Sequence, residues 1–211
     1  MELLTRNSKI KKSKRRTFNF GIPAYRSANG FKTCPNAAAC AIGCYATMGA
    51  YRFSNVARVF EERLTATQSP DFEARMIEEI VSKRAERIRI HDSGDFYSLE
   101  YAQRWISIMN ALPNVEFYAY IKMVSLFEGL KKDGKVPSNF RLIYSYGGTQ
   151  DKLIQPAIQA HSRVFSSLKE LRAAGYADVS KQDDKALTND KVGLVYHGGK
   201  SYSNTNWSKV K

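Results

Sequence analysis

Arg87-Ile88-Arg89-Ile90-His91-Asp92-Ser93-Gly94-Asp95-Phe96 changes character half-way along, and that change sets the fold class. Its first five residues alternate in the manner of a short strand. The chain then meets two acids, a serine and a glycine, which is turn chemistry. Ser98 follows as a helix cap, and Tyr101, Trp105, Ile108 and Met109 recur at helical spacing up to Leu112-Pro113-Asn114. Strand, turn and helix in this order form one half of a parallel crossover. The turn lies where α/β folds place functional groups, at the carboxyl end of a strand.

The unit repeats in both directions. Downstream, Val115 to Ile121 reads as a strand, Ser125 to Lys132 as a short helix stopped by Asp133-Gly134, and Phe140 to Tyr146 as a strand followed by Gly147-Gly148-Thr149. A helix around Asp151–Gln159 leads to Ser162-Arg163-Val164-Phe165-Ser166. Leu168 to Ala174 is helical and stops at Gly175, and Lys191 to His197 is the last strand. Upstream, a first strand starts at Thr17 and closes near Gly21 and Pro23, and Ser27-Ala28-Asn29-Gly30 is a turn. Helical spacing covers Gly43–Ala66, and Ser69-Pro70-Asp71 starts a further helix that runs to about Ala85. About six strands alternating with helices imply parallel pairing, and right-handed crossovers wind such units into an open sheet or a curved partial barrel.

The 211 residues suggest one domain, with 43% hydrophobic residues to fill its core. No apolar run reaches the roughly 18 residues of a membrane span, and charge follows Met1-Glu2-Leu3-Leu4-Thr5 too soon for a signal peptide. A cytoplasmic protein with reduced thiols is expected. The formal charge is +13, and Arg6, Lys9, Lys11, Lys12, Lys14, Arg15 and Arg16 stand together without an acid. Residues 1–16 therefore read as a basic arm, either a solvated tail or a binding element for nucleic acid or another polyanion. Residues 17–199 form the α/β domain, and 200–211 are a polar tail.

All three cysteines fall in Cys34-Pro35-Asn36-Ala37-Ala38-Ala39-Cys40-Ala41-Ile42-Gly43-Cys44, a C-x5-C-x3-C loop of small residues. Such a loop can wrap an inorganic group. Four readings are open. The loop could carry a 4Fe–4S cluster on three cysteines with one iron open to a small ligand. It could be a zinc site needing a fourth ligand from His91, His161, His197 or a carboxylate. It could hold a disulfide with a spare thiol, or three buried thiols that bind nothing.

Cys34–Ala46, read with Ile90–Tyr97 and Phe117–Lys122, resembles the bacteriophage gene product 88 family, from about Thr17 to Gly199. That family looks like a compact relative of the radical SAM enzymes. The resemblance implies a partial (β/α)6 barrel with Cys34, Cys40 and Cys44 as cluster ligands. It also implies Tyr45 as the aromatic beside the cluster, and Ser93, Gly94 and Asp95 where a GGE-like turn holds the amino group of S-adenosylmethionine. Ser145 would be a ribose contact. The loop spacing departs from the usual C-x3-C-x2-C, and Asp95 replaces Glu. Asp178–Asp190 lacks the further cysteines that many members carry there, so one metal site is expected.

His91 and Asp92 are candidates for proton transfer or for a fourth iron ligand, and equally for plain strand-end and capping roles. His197 at the last strand end could line the same pocket; His161, at an amino end, carries no expected role. Tyr118, Tyr120, Tyr144 and Tyr146 fit core and barrel lining better than a base-stacking platform. Two functions follow. One is an iron–sulfur enzyme acting on a small or nucleotide-type substrate, supplied by an electron donor. The other is a nucleic-acid-binding protein with a structural or redox-sensing cluster.

Overall fold

The computed structural model describes residues 1–196. His197, Gly198, Gly199 and the tail from 200 lie outside the described residues. Seven strands form one all-parallel sheet: β1 (Thr17–Phe20), β2 (Arg87–Ile90), β3 (Glu116–Ile121), β4 (Phe140–Ser145), β5 (His161–Phe165), β6 (Ala177–Asp178) and β7 (Lys191–Val195). Their order is β1-β2-β3-β4-β5-β7-β6, and the sheet curls into a half-barrel. Among the described residues six α-helices accompany it: α1 (Ala39–Ile42), α2 (Ser54–Thr67), α3 (Phe72–Ser82), α4 (Leu99–Ala111), α5 (Val124–Lys132) and α6 (Leu168–Ala173).

Period-two alternation assigns the two faces. On β3, Phe117, Ala119 and Ile121 join the layer of Phe72, Met76, Trp105 and Phe127 from the helices. Tyr118 points the other way, into the curl, where it meets Ile143, Val192, Val179 and Ala186, with Tyr120 and Leu194 packed alongside. Segment 177–187 thus fills the lower part of the half-barrel.

Several boundaries differ from the sequence expectation. The helix expected over Gly43–Ala66 begins only at Ser54; Gly49 at φ +58° and extended Met48 and Phe53 break the preceding stretch into two 3-10 turns. The helix around Asp151–Gln159 is a single 3-10 turn, Asp151–Leu153, because Ile154 is already extended and Pro156 keeps its predecessor out of helical space. His91 is not a strand residue: at φ +62° it turns the chain off β2. The seventh strand, β6, is two residues long, too short to leave a pattern. Ser98 caps α4 as expected, its hydroxyl accepting from the Tyr101 N–H at 3.1 Å.

Residues 1–16 pack against the body along the amino ends of β1 to β3. Leu3, Leu4 and Ile10 are buried, and the Glu79 carboxylate accepts the Leu3 and Leu4 N–H groups at 2.7 and 2.9 Å. Thr5 bridges Asn19, Lys9 pairs with Asp183 at 2.6 Å and Arg15 with Glu116 at 2.8 Å. Among the described residues no helix is long and apolar enough to cross a membrane. Because Leu4 belongs to the core, Leu4→Ala is expected to cost about 2–5 kcal/mol in urea unfolding. A loss below about 0.5 kcal/mol, the size of an ordinary surface change, would mean that the segment is not docked.

Candidate functional site

The carboxyl ends of the strands converge on one cavity of about 160 Å³. Its wall includes Cys34, Cys40 and Cys44, then Tyr45, the turn His91 to Asp95, and Ser145. Apart from His161, the described residues singled out from the sequence for metal, cofactor or proton-transfer roles border this cavity. Arg89, Tyr120, Lys122, Ser162, Val164 and Leu194 complete much of the lining.

The cysteine loop has little regular structure and is held by its neighbours' backbone. The Ala38 and Cys40 N–H groups both donate to the Gly147 carbonyl at 3.1 Å, and the Thr149 N–H donates to the Asn36 carbonyl at 2.8 Å. A Cβ on Gly148 would stand 2.8 Å from the Asn36 carbonyl oxygen, so this approach needs glycine. On the β2 side the Asp95 N–H donates to the Thr33 carbonyl at 3.1 Å. The thiols are free of disulfides, and neighbouring backbone groups draw their pKa values down: at Tyr25 for Cys34, at Ala38 for Cys40, at Ala46 and Thr47 for Cys44. Burial is the larger influence. It pushes the Cys34 thiol up to about 12, with Asp95 adding to the effect, and raises Cys40 and Cys44. Among the described residues no three His, Cys, Asp or Glu side chains converge as a single ion requires.

Asp95 is a brace. Its Oδ1 accepts the Phe96 N–H at 2.8 Å and its Oδ2 the Lys122 N–H at 3.0 Å, and burial lifts its carboxyl to about 6. Gly94 sits at φ +85°, where a Cβ would strike Ile22, and the Ser93 carbonyl accepts the Ile22 N–H at 3.0 Å. Asp92 faces Gly21, whose own Cβ would lie 2.1 Å from Asp92 Oδ1. Asn19 donates to Asp92 Oδ2 at 2.7 Å, while Oδ1 has no partner among the described residues. Burial raises this carboxyl as well, against the pull of Arg89 and Arg63. The Tyr45 hydroxyl donates to the Asp92 carbonyl.

The left-handed turn at His91 carries its ring into the helix-side core. It stands 4.7 Å from the Phe96 ring and shares a 2.9 Å hydrogen bond with the Tyr101 hydroxyl. Burial lowers its pKa to about 3, so it is neutral at ordinary pH. His161 is likewise engaged, with the Gln159 carbonyl at 2.9 Å and the Tyr176 hydroxyl at 3.1 Å.

Lys122 and Arg89 received no role from the sequence. Lys122 Nζ donates to Ser145 Oγ at 2.8 Å. Burial opposes its charge, and Cys40, Asp95 and Cys34 more than restore it, so its pKa lies above the ordinary value. Arg89 is buried, with Nη1 on Asp183 at 2.7 Å. The signal for Arg89 lies in Arg87-Ile88-Arg89-Ile90, where charge alternates along a strand flanked on both sides by others.

The sequence profile of the family described as Gene product 88 matches residues 2–209. The chain belongs to the Gene product 88 family. No curated protein and no solved structure matches it. The Gene product 88 match spans both the cysteine loop and the Ser93–Asp95 turn, the two segments that build the cavity wall.

The buried neutral imidazole makes a prediction. An unfolded-state histidine binds a proton near pH 6.5, and His91 in the fold binds one only near 3. Between these values the unfolded chain holds more protons, so stability falls as the pH drops from about 6.5 towards 3, by up to roughly 1.4 kcal/mol per pH unit. His91→Gln should flatten this part of a urea-unfolding pH profile; an unchanged slope would place the ring in water.

Proposed function

We propose that this chain binds one 4Fe–4S cluster through Cys34, Cys40 and Cys44, with one iron facing the cavity and open to a small ligand. The observation that carries the reading is that all three cysteines line the wall of one cavity. Lys122 adds a half-buried positive charge that Cys40 and Cys34 favour. A single zinc ion needs sulfurs converged at about 2.3 Å from one point. A 4Fe–4S cube takes its three protein sulfurs on three different irons.

A bound cluster would supply a Lewis-acidic, redox-active iron. The chain's own residues then divide the work. The Gly147 carbonyl and the Asn36–Thr149 bond hold the loop in place. Lys122 orients the Ser145 hydroxyl at the cavity wall. Val164 and Leu194 line the cavity with apolar surface that limits water. S-adenosylmethionine is the candidate small ligand for a radical SAM-like reaction. In that case a group other than the Asp95 carboxylate would receive its amino group, since both Asp95 oxygens are already taken by amides.

Protein purified without air should be brown and carry about four iron and four sulfide per chain. Cys34→Ser, Cys40→Ser and Cys44→Ser should each lose most of both, measured by iron and acid-labile sulfide analysis. Colourless protein, or one zinc per chain, overturns the reading. Paramagnetic resonance of the reduced protein with and without S-adenosylmethionine then separates an enzyme of radical SAM type from a cluster with another ligand.

A second reading has its own observation. Lys11, Lys12, Lys14, Arg15 and Arg16 are exposed near the amino ends of the strands, at the opposite edge from the cavity. A polyanion such as nucleic acid could bind there. The whole segment cannot be deleted without taking Leu3, Leu4 and Ile10 from the core. The triple change K11E, K12E and K14E should instead reduce the slope of log affinity against log salt on duplex DNA, by about 0.9 for each phosphate no longer neutralised. Binding that is absent in the parent chain, or unchanged in slope, ends this reading.

A further inference from the structure

The cavity floor holds a charge imbalance that the cysteines do not explain. Arg89 lies on the inner face of β2 with its guanidinium 5.2 Å from the centre of the Tyr120 ring, and it is only 7% exposed. Nη1 donates to Asp183 Oδ2 at 2.7 Å. Nε is buried and has no partner among the described residues. Asp183 cannot neutralise Arg89 alone, because Lys9 Nζ takes its other oxygen at 2.6 Å. The Tyr118 and Tyr120 hydroxyls donate to the same carboxylate at 3.1 and 3.4 Å. One carboxylate therefore serves two cations and is saturated with donors.

The other acids nearby are engaged elsewhere. Asp95 accepts two backbone amides, Asp151 accepts the Gly147 and Gly148 N–H groups at 2.8 Å, and Asp92 accepts from Asn19 on Oδ2, while burial raises its pKa towards the neutral form and its Oδ1 has no partner among the described residues. Among the described residues no ion pair joins Arg89 to any of them. A buried cation in surplus, with an unused N–H, calls for an anion. Arginine's planar fork suits carboxylate and phosphate alike. Ser162 and the Lys122–Ser145 pair line the same cavity. Lys122 lies just past the end of β3, two residues and roughly 7 Å beyond Tyr120.

We propose that Arg89 is the receptor for the oxyanion, carboxylate or phosphate, of a small molecule that binds in this cavity. The proposal uses the cavity of the iron–sulfur reading and does not need the cluster. The ligand's anion lies over the Arg89 fork on the cavity floor, and the remainder of the molecule extends past Ser145 and Ser162 towards the cysteine loop.

Equilibrium dialysis of the full chain with radiolabelled inorganic phosphate, and in a second arm with acetate, tests this against chloride at fixed ionic strength. Saturable binding of about one anion per chain is expected in at least one arm, and the two arms separate a phosphate from a carboxylate ligand. Arg89→Gln should abolish it. If R89Q does not fold, Lys9→Met decides. That change leaves the cavity lining intact and gives Asp183 wholly to Arg89, so binding should weaken about three- to tenfold. Lys11→Met, the same change of charge on the exposed surface, should leave binding as it was. No saturable binding in either arm, undiminished binding in a folded R89Q, or K9M binding as tightly as K11M overturns the proposal. Iron content read in parallel keeps the two readings apart. Cysteine variants that lose iron but still bind the anion leave this proposal standing, and iron-loaded protein that binds no anion leaves the cluster reading standing.

Discussion

The cysteine loop can hold its shape only because the strand ends beneath it present main-chain groups at fixed places. Between Cys34 and Cys44 there is a single four-residue helical turn, too short to stand alone in water. Its position comes from the Gly147 carbonyl beyond β4, which accepts two of its amides, and from Thr33, whose carbonyl accepts from Asp95 beyond β2. Both anchors sit at the carboxyl edge of one parallel sheet. The spacing of the sulfurs is thus inherited from strand register, and the crossovers that make the sheet parallel also make the site.

Asp95 ties this arrangement across the sheet. Its N–H holds the cysteine segment, while its carboxylate accepts the Lys122 N–H at the end of β3. One residue after β2 therefore fixes the loop before it and the strand after it. Its place in a Ser-Gly-Asp turn resembles a cofactor contact, and its hydrogen bonds describe an internal strut. Glycine at 94 is required on either view, because φ +85° and the contact with Ile22 leave no room for a side chain.

The fold was legible where patterns were long. Trp105, Ile108 and Met109 marked α4, and Ser98 marked its start. Alternation in Phe117 to Ile121 marked β3 and sorted its two faces. Legibility failed where the deciding contact was distant. Nothing local to Thr5 or Leu4 tells of Asn19 or Glu79, so a basic run read as an arm when its apolar residues belong to the core. His91 reads as the last strand residue, but the strand stops at Ile90, and the left-handed turn at His91 sends its ring to Tyr101. Composition carries no trace of such a turn. The site's thiols could be grouped by proximity in sequence, whereas Lys122 and Arg89 needed the neighbouring strands to show which way they point.

The inner face of the half-barrel shows why those two cations lie where they do. Parallel sheets covered on both faces are usually apolar throughout. Here β2 places Arg87 and Arg89 inside the curl, and both are buried. Arg87, at the bottom, is matched by Glu116 and Asp184 at 2.8 and 3.1 Å. Arg89, one inward position higher, shares with Lys9 the one carboxylate it pairs with among the described residues. Matched charge thus closes the amino end, where segment 177–187 and the first sixteen residues plug the curl. Unmatched charge rises towards the carboxyl end, through Arg89 to Lys122. A parallel sheet needs no such gradient for stability, since apolar side chains of similar volume would fill the space at lower cost. The surplus is retained at the one end of the molecule where three thiols and an open cavity also lie. On the proposed reading, the physical sense of that placement is attraction of an anion that enters the cavity beside the thiols.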